Sequence, residues 1–385
     1  MRTLRPPPPE VPPRAPEGML FDVPLAPRTT LGVGGPAARY VEARTEEAVH
    51  ETLKWARSQR LDVTVLGGGS NVLVADRGVD GLVLRVAVSG VNHAIEGDRV
   101  TLSAGAGEPW DALVAMTVEQ GWAGLECLSG IPGDVGAAPI QNIGAYGQEA
   151  GDVITFVYGI DRRSGATVGI DRLGCRFGYR DSVFKRRASG RFVIVGVTFS
   201  LQRGGSAAVR YAELDRYMRD AGAAPSPSLV DVRKAVLELR RRKSMLVEAG
   251  DENARSAGSF FVNPTLDEAA FAEARARIEA ANVLEPGETL PRFVAGPGRV
   301  KIPAAWLIER AGFKKGTGDG PVGLSTRHAL AIVNRGGATA EDILRFARRI
   351  RDGVLTRFGV RLVPEPVMLG FRPEEVEDLV GHPTT

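Results

Sequence analysis

Cysteine is scarce in this 385-residue chain: there are two, Cys127 and Cys175, far apart and in no Cys-x-x-Cys arrangement. That scarcity excludes a disulfide framework and a cysteine-based zinc site, and it predicts two reduced thiols and no metal centre. An excess of one charge is also missing. Lys and Arg number 49 against 46 Asp and Glu, a net charge of +3, with no long basic run. So small an excess gives no reason to expect nucleic acid or a membrane surface as partner. Long hydrophobic runs are absent too, so no bilayer-spanning helix is expected, and the amino terminus has no apolar signal-peptide core. A cytoplasmic protein working as a monomer is the expectation. Its 43% hydrophobic and 25% charged residues are ordinary for a globular chain. Its length predicts two or three lobes, and no internal repeat is present.

What is present begins with proline. Pro6 to Pro9, Pro12, Pro13 and Pro16 crowd residues 1–20, which predicts a disordered or polyproline-like tail. Residues 21–88 alternate strand and helix signals and form a first lobe. Thr45 can cap a helix with Glu46 and Glu47 in its first turn and Val49, Leu53 and Trp55/Ala56 on its apolar face. Strands are predicted at 63–66, 72–74 and 81–86. Residues 89–222 form a second lobe, with strands near 99–104, 153–160, 166–170 and 192–201 and a helix from about Pro109. Residues 223–349 form a third, with helices near 229–243 and 266–282 and a strand at 328–334. A helix capped by Thr339 runs to about Phe358. Residues 350–370, strand-like from 360, are expected to return to the second lobe, and 371–385 to be a tail. The fold class is α+β.

Six segments can carry chemistry. Thr29-Thr30-Leu31-Gly32-Val33-Gly34-Gly35 and Leu66-Gly67-Gly68-Gly69-Ser70-Asn71 put glycines at strand edges, where bare N–H groups can meet phosphate oxygens. Neither is a Rossmann Gly-x-Gly-x-x-Gly or a P-loop, and singly such segments are most often only turns. Residues 130–147 form a long loop, poor in charge and rich in small residues. A flat aromatic ligand or a pyrophosphate could lie on it, and a packed structural loop reads equally well. In Cys175–Lys185, Arg180 can pair with a carboxylate or phosphate, or form an ordinary surface ion pair. Ser259 follows Gly258 and precedes Phe260 and Phe261 without a Gly-x-Ser-x-Gly elbow, so hydrolase chemistry is not indicated. Glu365 is pinned between Pro364 and Pro366, which suits a rigidly placed carboxylate or a plain edge-strand residue.

Taken together and in order, these segments resemble the UDP-N-acetylenolpyruvoylglucosamine reductase (MurB) family over about residues 21–370. The most specific stretches are Ile131-Pro132-Gly133 with Gln141-Asn142-Ile143-Gly144-Ala145-Tyr146-Gly147, then Phe177 to Lys185, then Ala257-Gly258-Ser259-Phe260-Phe261. The spelling of 141–149 resembles the longer, type I-like form, which keeps a substrate-covering insertion. The resemblance implies a two-lobed FAD-binding domain of the vanillyl-alcohol-oxidase/PCMH type and a smaller α+β substrate-binding domain. It implies non-covalent FAD, NADPH as electron donor, and reduction of UDP-N-acetylglucosamine enolpyruvate to UDP-N-acetylmuramate in peptidoglycan precursor synthesis.

By the same resemblance FAD would be held by Leu66, Gly67, Gly68, Gly69, Ser70, Asn71, Gly130, Ile131, Pro132, Gly133, Gly136, Gln141, Asn142, Gly144, Ala145 and Tyr146. Arg180, Ser259 and Glu365 would be catalytic, and Tyr211, Lys243 and Asn263 would bind substrate. Two departures stand out. Val262 replaces a lysine common in the family, and residues 284–303 hold no tyrosine, leaving Phe293 in its place. Two other readings compete. An oxidase of the same superfamily often carries flavin on a histidine, yet His50, His93, His328 and His382 all lie outside the glycine-rich segments. A non-catalytic nucleotide-binding relative would have no use for a serine proton donor.

Overall fold

In the computed structural model, which describes residues 14–186 and 188–380, the first lobe is a four-stranded sheet. Pro36–Ala43 runs parallel to Val79–Val86, which runs parallel to Val63–Leu66 on its other side. Helix Glu46–Ser58 makes the crossover that parallel pairing requires. It starts where the Thr45 hydroxyl accepts from the Ala48 N–H at 3.1 Å, and it buries Val49, Trp55 and Ala56. An antiparallel edge strand, Leu20–Pro24, went unread in the sequence. Only Val23 of its five residues is buried, so it shows no alternation. Residues 1–13, most of the expected proline-rich tail, lie outside the described residues.

The second lobe is antiparallel, in the order Thr167–Asp171, Ile154–Asp161, Phe192–Arg203, Arg99–Gly105, Val91–Glu96. Helix Trp110–Glu119 buries Trp110, Leu113, Val114 and Val118 beneath it. Leu84 and Val86 of the first lobe belong to the same core as Val100 and Leu102, so the two sheets are packed as one body. A third core gathers helices Glu268–Ala280, Ala304–Arg310 and Ala340–Phe358 around short strands, and takes in Leu31, Val33 and Leu73 from the first lobe. Thr339 and Asp342 form the reciprocal cap of the long helix, with N–H to oxygen distances of 3.1 and 3.0 Å. Gly359, in the left-handed region, ends it. The architecture is α+β.

Three expectations are corrected by packing. Helix Leu229–Arg242, assigned by sequence to the third lobe, buries Val232, Ala235, Val236 and Leu239 against Cys127 and helix Ala212–Asp220 on the second. Residues 350–370 do not return to the second lobe: the long helix stays in the third core, and Val367–Leu369 pairs in parallel with Val72–Val74 of the first. The strand is short because Pro364 and Pro366 have no N–H to give a ladder. The expected 371–385 tail contains helix Pro373–Val380, which buries Val376 and Leu379. Arg77 holds Glu375, and Arg348 and Arg351 hold Asp378. Among the described residues, no helix is long and apolar enough to cross a membrane.

Candidate active site

The two glycine-rich loops lie against each other. Gly69 sits at φ +66°, and a Cβ there would fall 2.0 Å from the Arg28 carbonyl oxygen, so only glycine lets the loop pass beneath residues 28–30. A Cβ on Gly68 would come within 2.8 Å of Gly133 Cα. The Ser70 hydroxyl donates to Pro132 O at 3.0 Å, and the Thr30 hydroxyl donates to Ser256 O at 2.7 Å. The long second loop is not slack. Trp110 N–H donates to Gly133 O, Val135 N–H to Glu108 O and Gly136 N–H to Ala106 O, each at 2.9 Å.

A cleft of about 480 Å³ runs along the first loop, lined by Arg28, Thr30, Leu66, Gly67, Arg85 and Arg255 among others. Gly67 borders open space: a Cβ there would meet nothing nearer than 3.9 Å. Arg85 pairs with Asp134 at 2.6 Å, and burial still raises the Asp134 carboxyl above its usual range. Three arginines beside bare backbone suit a ligand bearing phosphate. These features fit FAD: close loop packing where side chains are excluded, and space where a diphosphate would approach.

Arg180 occupies a tight turn closed by Gly178 N–H to Asp181 O at 2.9 Å and Asp181 N–H to Gly178 O at 3.1 Å. Its φ is +52°, a costly region for arginine that the surroundings must enforce. Lys185 Nζ donates to the Arg180 carbonyl at 3.1 Å, and Arg180 Nη2 donates to Gly144 O at 2.9 Å. Arg180 Nε then lies 3.5 Å from Glu365 Oε1. Glu365 is fixed by its own backbone, whose N–H donates to Phe260 O at 2.8 Å. Val262 N–H donates to Val363 O at 3.0 Å, so the 260–262 and 363–365 segments run as a short ladder. Ser259 is the next residue along it. It is partly buried, and its hydroxyl has no hydrogen-bond partner among the described residues. Asn71 Nδ2 joins this corner to the glycine loops, reaching Gln141 Oε1 at 3.1 Å and Glu365 O at 3.4 Å.

A second group lies at the other end of the 144–149 hairpin. Tyr211, 44% exposed, meets Tyr146 edge to face with ring centroids 5.7 Å apart. Lys243 Nζ lies 5.8 Å from the Tyr146 centroid and pairs with Glu213 at 2.6 Å. Two predicted ligands are engaged otherwise. Asn142 Nδ2 donates to Glu149 Oε2 and Gly178 O, and its Oδ1 accepts from Gly151 N–H. Asn263 Nδ2 donates to Tyr179 Oη at 3.0 Å, and its Oδ1 accepts from Ala304 N–H at 2.8 Å. Both side chains join loops to one another.

Several neighbours were not singled out in the sequence. Lys301 Nζ sits 3.8 Å from the Tyr179 ring centroid, and its strand pairs in register with Phe293. Arg240, 8% exposed, spends Nη2 on Met245 O at 2.8 Å and leaves Nε unpartnered. Burial depresses its pKa to about 10. His328 is driven to about 4 by burial, with Lys243, Lys315 and Arg240 around it. Arg240 and Lys243 share the run Leu239-Arg240-Arg241-Arg242-Lys243, which could have drawn notice. His328 and Lys301 carried no signal of their own.

The layout defines an FAD-binding protein, and a family model described as FAD binding domain matches residues 37–169. A second, described as UDP-N-acetylenolpyruvoylglucosamine reductase, C-terminal domain, matches residues 250–369. The enzyme named UDP-N-acetylenolpyruvoylglucosamine reductase from Thermobifida fusca is 48% identical over 351 residues, 91% of this chain and 97% of that one. Its namesake from Saccharopolyspora erythraea is 49% identical, over 90% and 94%. The crystal structure of the Thermus caldophilus enzyme, titled UDP-N-acetylenolpyruvylglucosamine reductase (MurB), superposes with a TM-score of 0.60 at 25% identity, over 91% and 98%. The chain belongs to the UDP-N-acetylenolpyruvoylglucosamine reductase family.

Proposed function

We propose that this chain is a flavin-dependent oxidoreductase that reduces the enolpyruvyl group of UDP-N-acetylglucosamine enolpyruvate to give UDP-N-acetylmuramate. FAD is the non-covalent cofactor, NADPH the electron donor, and the setting cytoplasmic peptidoglycan precursor synthesis, with the chain acting as a monomer. The observation that carries this reading is the Arg180–Glu365 pair beside the unpartnered Ser259 hydroxyl. When bound, the flavin supplies hydride to the β-carbon of the substrate double bond.

The chain's own residues do the rest. Leu66 to Asn71, Gly130 to Gly133, Gly136, Gln141, Gly144, Ala145 and Tyr146 supply the cofactor's bed, and Asn142 holds that bed together. Hydride addition moves negative charge onto the substrate carboxylate and α-carbon. Arg180 faces that charge as a fixed cation, which lowers the barrier because it need not reorganise. Glu365 orients the guanidinium. Ser259 Oγ–H gives its proton to the α-carbon as general acid, and solvent reprotonates the serine. A serine hydroxyl is a weak acid, so it serves only a strongly basic centre such as this enolate. Tyr211 and Lys243 meet the nucleotide end; Lys243 exchanges Glu213 for a diphosphate oxygen. Tyr146 supports Tyr211, and Asn263 sets Tyr179. Phe293 covers the bound nucleotide without donating a hydrogen bond.

The test is Ser259→Ala. Flavin bleaching by NADPH should stay near the wild-type rate, while product formation falls by roughly two to four orders of magnitude. Wild-type turnover in this variant would overturn the role of Ser259. Flavin that stays attached after denaturation would instead favour an oxidase.

A further inference from the structure

Glu126 is 1% exposed, yet it belongs to neither the catalytic group nor the cofactor loops. Its carboxylate accepts three hydrogen bonds. Oε2 takes the Gly124 N–H at 2.8 Å, and Oε1 takes Gln148 Nε2 at 2.8 Å and the Ala208 N–H at 2.9 Å. A buried carboxylate is retained only where donors compensate its lost hydration. Here the donors come from three separate stretches of chain, two of which lead directly to the tyrosine pair.

The first leads to Tyr146. Gln148 closes a two-residue hairpin in which Ala145 faces Gln148 and Gly144 faces Glu149. The turn residues, Tyr146 at φ +47° and Gly147 at φ +84°, are both left-handed. Such turns favour Asn-Gly or Gly-Gly, so a tyrosine in the first place is strained and persists only if the hairpin ends are held. Gln148 holds one end twice, donating to Glu126 and accepting the Cys127 N–H at 2.8 Å. The second stretch leads to Tyr211, three residues beyond Ala208. Ala208 donates its N–H to Glu126, and its carbonyl accepts the Cys127 thiol at 3.1 Å. The two stretches also touch: a Cβ on Gly147 would lie 3.4 Å from Arg210 Cβ and 3.6 Å from Tyr211 N.

We propose that Glu126 is a positioning residue for substrate recognition, fixing the edge-to-face Tyr146–Tyr211 pair through Gln148 and Ala208. It touches neither substrate nor cofactor. It sets where the nucleotide end of the substrate meets the protein, so its loss acts on KM and spares kcat. This rests on the functional reading given above.

The experiment is Glu126→Gln in the FAD-loaded enzyme, assayed well below its unfolding temperature. A glutamine keeps a single acceptor oxygen, so its NH₂ must face either the Gly124 N–H or the Gln148 and Ala208 donors, and the three-donor network cannot close. KM for the enolpyruvyl UDP-sugar and the inhibition constant for UDP should both rise about tenfold, with kcat within about twofold in enzyme kept saturated with FAD. Gln148→Leu removes one donor and leaves the carboxylate its two backbone partners; it should show the same split and stands in if Glu126→Gln does not fold. A merely structural role predicts a lower Tm with an unchanged KM, and that result in a folded variant overturns the inference. A wild-type enzyme inert toward the substrate refutes the functional reading itself, whereas an active one with unchanged KM in both variants refutes only the role of Glu126.

Discussion

A sharp loss of stability in mild acid should come from His328. Burial and three cations hold its folded pKa near 4, against an ordinary value of 6.5. Leu330 N–H donates to Nδ1 at 3.3 Å, so the neutral ring carries its proton on Nε2. The unfolded chain therefore binds a proton that the folded chain refuses. The stability this ring contributes is complete above pH 6.5 and is lost as pH falls toward 4. Between pH 7.5 and pH 5 the two pKa values give a loss of about 2 kcal/mol from this residue alone. His328→Asn keeps an acceptor near the Nδ1 position and removes the titration. Urea unfolding of the holoenzyme at both pH values is the assay. Wild type should lose about 2 kcal/mol more than the variant between pH 7.5 and pH 5. Equal losses would show that His328 is already protonated, or freely hydrated, in the folded state, and would refute the reasoning.

Gly69→Ala meets both a left-handed backbone and the Arg28 carbonyl; ultrafiltration should find that it retains less FAD than wild type, and full retention would remove this loop from the cofactor bed. Glu365→Gln keeps the shape but frees Arg180 from its carboxylate, so kcat should fall by about ten- to a hundredfold with KM little changed; stopped-flow reoxidation of reduced flavin by the substrate checks it. Thr339→Ala removes one half of a reciprocal helix cap far from the chemistry. It should cost about 1 kcal/mol in urea unfolding and leave kcat unaltered.

Elements whose residues alternate or recur strongly were legible in the sequence. The starts of the helices capped by Thr45 and Thr339, and the end of the second near Phe358, were read from the sequence, because a capping hydroxyl, early acids and an apolar stripe all agree there. Strands Leu20–Pro24 and Val91–Glu96 were not, since the first buries one residue and the second none. Lobe membership failed for a different reason. The apolar face of Leu229–Arg242 fits a second-lobe partner as well as a third-lobe one, and only Cys127, Leu214 and the Asp111–Arg233 pair decide it. The Cys127 and Asp111 contacts join residues more than about a hundred positions apart, which no local pattern records.

The site divides along the same line. Arg180, Ser259 and Glu365 could be singled out because each sits in a short stretch whose neighbours constrain it: a tight turn, a glycine before two phenylalanines, a pair of prolines. What binds them into one site was not readable. The 3.5 Å approach of Arg180 to Glu365 depends on Lys185 holding a strained carbonyl, on Asn71 bridging two loops, and on a ladder from 260–262 to 363–365. Asn142 and Asn263 show the converse. Both were read as ligand contacts, and both spend their amides on other loops. A polar residue inside a specific motif is thus as apt to hold the motif's shape as to touch what the motif binds. Glu126 is the extreme of that case, since its carboxylate is spent on Gly124, Gln148 and Ala208, in the stretches that lead to the two tyrosines. Variation at such residues should therefore tune affinity more than it alters the chemical step.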